Sequence, residues 1–311
     1  LPEAYTRSAA KLIASVPSSC KALVVRIETW TGECARSVPH TVTALEVDLS
    51  FWDQMALHNE MTVDDIAMLP RGLKTLNLQC ELSRHGDEKE AFANLPPQLT
   101  ALECSYCTNL PSTITFPPSL TSLMFQYASL KHQLRCDFTF LLTLTEMVVD
   151  RLELDARYME AISKMPLTKF RCQASVLGTE DVSRLPKSIT DLFFYNLLLT
   201  ESMLRALPPG LLYFGVYGIR DLDSSDVLSK DFVKLLPRTL FKFDIDPDFR
   251  GVPTPTLQHQ QEAVKWILPH LPPRMNLSQV SLHFQFFCAT FLFESVALQN
   301  LKRRRAVRSI D

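Results

Sequence analysis

One short block recurs along the chain and dictates what the chain can fold into. It reads LPRGLKTLNL from residue 69, LPPQLTALEC from 95, FPPSLTSLMF from 116, LPKSITDLFF from 185, LPPGLLYFGV from 207 and LPRTLFKFDI from 236; looser copies start at 16, 38, 140, 165 and 277. Each block carries a large apolar anchor, a second three positions later and a third two beyond that. The first anchors are Cys20, Val42, Leu73, Leu99, Leu120, Leu144, Leu167, Ile189, Leu211, Leu240 and Leu277, separated by 22, 31, 26, 21, 24, 23, 22, 22, 29 and 37 residues. One such copy cannot bury its apolar face alone, so the copies must stack and share a continuous core.

The offsets have a direct physical reading. The second and third anchors are two residues apart and share one face of a short strand, while the residues between and after them face the other way. The first anchor enters from a bend, and the preceding proline suits a bend because it fixes φ and removes a backbone donor. Between strands, TVDDIAMLP, TEDVSRLP and TESMLRALPP predict short helices capped by Thr62, Thr179 and Thr200 and ended by proline. LPEAYTRSAAKLIASVP at the start reads as a further helix leading into the first bend.

With these blocks the chain resembles the leucine-rich repeat family, in the variant whose core is LPxxLTxLxL. Similar blocks occur in the repeat domains of bacterial ubiquitin-ligase effectors and in FNIP-type repeats of protists. The resemblance implies an α/β fold: a curved leucine-rich-repeat solenoid with a parallel concave sheet, short convex helices and about eleven irregular repeats over residues 16–287. Residues 1–15 then form an N-terminal helical flank or partial repeat, and 288–311 a C-terminal flank. The family places Asn or Cys eight residues after the first anchor, and here only Cys107 matches. A regular asparagine ladder is absent, which predicts an irregular array.

Outside the repeats the chain carries little recognisable chemistry. Hydrophobic residues make up 46% and charged residues 21%, the profile of a folded chain, and the net charge of −2 argues against nucleic acid as a partner. Neither GxSxG, HExxH nor GxxxxGK[ST] occurs, so neither an enzyme nor a cofactor site is expected. Cys104 and Cys107 in CSYC have the spacing of half a zinc site, but Cys104 falls on a third anchor and Cys107 on the turn slot; no second pair follows. The bacterial effectors carry their catalytic cysteine in a separate domain, so that activity is not carried over. The eight cysteines are dispersed, which predicts thiols and a cytoplasmic location, with nuclear and secreted locations left open. The apolar stretch 280–298 is broken by His283, Gln285 and Glu294, so no membrane span is expected. The basic run Lys302 to Arg308 reads either as a nuclear-import or phosphate-binding patch or as a solvated terminus.

The strand phase also names the outward columns. Phe193, Tyr195 and Tyr217 fall on neighbouring repeats with Tyr213 beside them; Asp244 and Asp246 follow and Arg171 precedes. An aromatic centre with a charged border is the composition of a protein-binding hot spot. The expected function is a recognition scaffold or adaptor for a protein partner of unknown identity. A structural subunit of a larger assembly is the alternative, favoured by the uneven repeat lengths and the apolar HFQFFCATFLF segment.

Overall fold

A computed structural model describes residues 3–27, 29–49, 60–82, 94–105, 116–126, 142–149, 156–173, 177–197, 199–219, 232–247, 272 and 280–282. They fall in two compact units, the first comprising residues 1–153 and 164–172 and the second 154–163 and 173–311. The C-terminal flank, the basic run, His283 and Cys107 lie outside the described residues.

The first unit opens with α1 (Glu3–Ala14), as the sequence predicts, and continues with β1 (Ala22–Arg26), α2 (Gly32–Ser37), β2 (Ala44–Asp48), β3 (Glu60–Met61), α3 (Val63–Ala67), β4 (Thr75–Gln79), β5 (Glu81–Leu82), β6 (Ala101–Ser105), β7 (Ser122–Gln126), β8 (Glu146–Val149) and β9 (Lys169–Gln173). Its sheet runs β1-β2-β4-β6-β7-β8-β9, every pair parallel and in register. A separate two-stranded parallel sheet joins β3 to β5. The second unit holds α4 (Ala156–Ser163), α5 (Thr179–Ser183), β10 (Asp191–Tyr195), α6 (Glu201–Ala206), β11 (Tyr213–Ile219), a 3-10 turn at Phe232–Leu235, β12 (Lys242–Pro247) and β13 (Val280–Leu282). Here β10, β11, β12 and β13 pair in that order, all parallel, with a register shift between Tyr217 and Ile219. Each unit is thus an α/β leucine-rich-repeat solenoid segment, strands on one side and short helices in the connections.

The anchors build the core in both units. First anchors from Val42 through Leu240 are wholly buried, as are second anchors from Leu76 through Phe243 to within 1%. Third anchors from Val47 to Val216 are buried to within 2%, with aromatic Phe125 and Phe194 taking the place of leucine. Burying each such side chain contributes about 1.5–3 kcal/mol. Before β1, β2, β4, β6, β7, β10, β11 and β12 the bend is a tight turn closed by the proline carbonyl. It accepts the amide of the first anchor three residues on, from Cys20 to Pro17 at 2.9 Å through Leu240 to Pro237 at 3.0 Å.

Regularity comes from a device the asparagine count misses. The carbonyl of the residue after one first anchor collects two amides and a threonine hydroxyl from the next repeat. At Thr100 these are the amides of Thr121 and Ser122 at 2.8 and 3.0 Å and the Thr121 hydroxyl at 3.0 Å. Thr43 bonds Lys21, Thr100 bonds Lys74, Thr145 bonds Thr121 and Thr168 bonds Thr145 in the same way. Hydroxyls just before the first anchor add a second row, with Ser119 and Thr143 donating to the carbonyls of Leu99 and Leu120, each at 2.8 Å. In the second unit Thr239 repeats this bond to Leu211. The strand register is accordingly even, and the unequal repeat lengths fall in the connections.

The helix caps follow expectation at two of three positions. Thr62 caps α3 in a reciprocal capping box with Asp65, and the Thr200 hydroxyl accepts the Met203 amide at 3.3 Å at the start of α6. For α5 the cap lies one residue earlier than predicted, at Gly178. There the Asp181 carboxylate accepts the Gly178 amide at 2.9 Å, while the Thr179 hydroxyl meets that of Ser202 at 2.9 Å.

Candidate functional site

The sequence-predicted aromatic residues sit on β10 and β11 of the second unit. Parallel register sets Phe193 beside Gly215 and Tyr195 beside Tyr217, then Tyr213 beside Lys242, Gly215 beside Asp244 and Tyr217 beside Asp246 on β12. The side chains of Tyr217 and Asp246 lie outside the described set.

Expected exposure fails at two of these positions. Phe193 is only 3% exposed and Asp244 only 4%. The reason for the first is Gly215. A Cβ on that residue would stand 2.3 Å from Cδ2 and 2.5 Å from Cε2 of Phe193, so the ring lies over the space a side chain would fill. From there it meets Tyr195 at 4.6 Å between centroids and stacks beside Tyr213 at 6.3 Å with an interplanar angle of 20°. Tyr195 and Tyr213 stay half-buried.

Asp244 is enclosed because its neighbours satisfy one of its oxygens. The Tyr213 hydroxyl donates to Oδ2 at 2.8 Å, and the Lys242 ammonium lies 2.9 Å from the same atom. Lys242 also passes over the Tyr213 ring at 5.0 Å from its centroid, so a single cation holds both the ring face and the carboxylate. Oδ1 of Asp244 is buried and has no hydrogen-bond partner among the described residues. The sequence reading missed Lys242. Its signal was the Lys-Phe-Asp alternation, which sets Lys242 and Asp244 on one face of β12.

Arg171 belongs to β9 in the first unit, half-buried in register with Val148. Outward positions in this unit are not uniformly open either: Val24 on β1 is 55% exposed, whereas Val148 is 3%, Asp48 7% and Ser105 5%. Asp48 is closed by Arg26, 3.6 Å away. Between β1 and β7 the same face forms a cleft lined by Val24, Ala44, Glu46, Asn77, Ala101, Glu103 and Met124. Cys104 is wholly buried at its anchor position, which makes it a core residue. Among the described residues no cluster of His, Cys, Asp and Glu could hold a metal ion, and no helix is long and apolar enough to cross a membrane.

Comparison with protein-family models finds no match, and comparison with curated proteins finds none either. Solved structures do show a likeness. The leucine-rich repeat-containing protein LegL7 from Legionella pneumophila is 14% identical with a TM-score of 0.43, over 89% of this chain and 87% of that one. CroV588, described as a circular leucine-rich repeat protein, is 16% identical with a TM-score of 0.32, over 79% of this chain and 40% of its own. Likeness at this level carries no functional inference; the leucine-rich-repeat architecture rests on the anchors, turns and parallel ladder of the chain itself.

Proposed function

We propose that this chain is a non-enzymatic recognition scaffold that binds a protein partner on the outward face of its parallel strands. The carrying observation is the aromatic surface of β10 to β12, where Tyr195 and Tyr213 are held by Phe193 and by the Asp244 and Lys242 contacts. Aromatic side chains already fixed in one geometry lose little entropy on binding, which is how a few residues come to dominate an interface. Tyr217 and Asp246 continue that face by register, and Arg171 is assigned to the face of the first unit. Cysteines used as core residues, Cys34, Cys104 and Cys172 among them at 0% exposure, support a reducing compartment such as the cytoplasm.

One observation favours the second reading, a structural subunit. Leu212 and Phe241 are 46% and 51% exposed and lie next to each other at the entry to β11 and β12. Threonine or lysine takes this place in the first unit, and an apolar pair suits permanent packing. A native pull-down with the parent chain, Tyr195→Ala/Tyr217→Ala and Leu212→Ser/Phe241→Ser separates the two. A partner lost only with the tyrosine variant supports the scaffold; one lost only with the Leu212 and Phe241 variant, at fixed stoichiometry, replaces it with the subunit.

A further inference from the structure

The cleft on the first unit has a volume of about 310 Å³. That is close to the lower end of the range, roughly 300 to 1,000 Å³, over which pockets enclose small ligands, so it suits one side chain better than a folded element. The recess exists because Ala44 and Ala101 stand where longer residues would fill it. Above them Glu46, Asn77 and Glu103 lie side by side in register on β2, β4 and β6. Strands about 4.8 Å apart set the two glutamates roughly 10 Å apart across the asparagine.

These three residues leave acceptors in excess of donors. The side-chain oxygen of Asn77 is buried and has no hydrogen-bond partner among the described residues. Among the described residues Glu103 accepts only a long contact from the Ser105 hydroxyl at 3.5 Å. Arg26, the cation on the neighbouring edge strand, is engaged by Asp48. A buried amide oxygen without a donor is costly, and a rotation of the amide is enough to present it to one.

From this we propose that the cleft binds an arginine side chain presented by an extended segment of a partner protein, an inference that rests on the chain being a recognition scaffold. A guanidinium is planar and carries five N–H donors in a fixed fork, enough to reach both carboxylates and the amide together; an ammonium offers a compact point charge with three. The arginine stem lies along the alanines, and Met124 at one end supplies an adaptable apolar wall. The site is separate from the aromatic surface of the second unit and draws on none of its residues.

The test is a titration of the full chain with the peptide acetyl-Ala-Arg-Ala-amide, followed by NMR of the alanine and methionine methyl groups, beside matched peptides carrying citrulline or lysine. The Ala44, Ala101 and Met124 methyls should shift saturably with the arginine peptide. Citrulline, which keeps the shape but not the charge, and Glu46→Gln/Glu103→Gln should each weaken binding about tenfold or more, with the remaining methyl signals of the variant unchanged. Absence of those shifts, or equal binding by citrulline, by lysine or by the double variant, overturns the proposal. If that happens while Tyr195→Ala/Tyr217→Ala still abolishes partner capture, the cleft alone is refuted and the scaffold stands.

Discussion

Replacing Gly215 by alanine tests how the aromatic surface is built. The added Cβ would sit 2.3 and 2.5 Å from two ring atoms of Phe193 and 3.0 Å from the Tyr213 hydroxyl. Ordinary carbon contacts are about 3.5–4.0 Å, so the ring must move by roughly 1 Å or more and give up its packing on Tyr195 and Tyr213. Overpacking of this kind costs about 1–3 kcal/mol. Alanine returns about 0.5–1 kcal/mol because a strand glycine loses more freedom on folding. Contacts of 2.3 and 2.5 Å put this case in the upper half of that cost, so the net loss should be about 1–2.5 kcal/mol, which lowers a urea midpoint by roughly 0.5 M or more at the usual slope. Phe193→Leu removes the obstructing ring, so adding Gly215→Ala in that background should cost far less, a coupling of about 1 kcal/mol or more. Both experiments read urea unfolding by far-ultraviolet circular dichroism. A Gly215→Ala midpoint equal to the parent's, or an undiminished penalty in the Phe193→Leu background, would refute the packing argument.

Two further substitutions probe the frame. Thr121→Val keeps the shape and removes the hydroxyl bond to Thr100, whose carbonyl retains two amide donors; urea titration should show a loss of about 0.5–1 kcal/mol, and no loss would mean that the threonine row is incidental. Leu123→Asp puts a carboxylate at a position with 0% exposure and should cost at least about 3 kcal/mol, and a melting curve matching the parent's would show the anchor phase to be wrong.

The anchors could be read from sequence because burial at offsets of zero, three and five is a local property of one turn and one strand. Nothing distant competes with it, and Val42, Leu45 and Val47 behave like Leu120, Leu123 and Phe125. The threonines of the row are visible in the same blocks, but their role is not. Their partner is a backbone carbonyl one repeat away, and a repeat register has to be in place before that bond exists. The cap at Gly178 was missed because threonine outranks glycine as a cap on propensity, whereas Asp181 settles the matter by reaching the earlier amide. Phe193 was assigned to an open face by alternation. Alternation gives the side of the sheet, but the exposure of a ring depends on what its neighbour lacks, and that neighbour is a glycine 22 residues later.

The same division explains how one repeat can present two unlike surfaces. Stability is carried by inward anchors, by turns closed on proline carbonyls and by hydroxyl rows on the backbone, none of which uses the residue between the second and third anchors. That column is therefore free to vary, and the two units vary it differently. In the first unit it holds Glu46, Asn77 and Glu103, beside the small Ala44 and Ala101 that precede the second anchors, and a cleft is left, while the second unit fills it with Phe193 and Asp244 and braces two tyrosines against them. Charge-neutralising changes at Glu46 and Glu103 should then leave the aromatic surface intact, and loss of Tyr195 should leave the cleft intact, because the two surfaces share the repeat frame and no side chain.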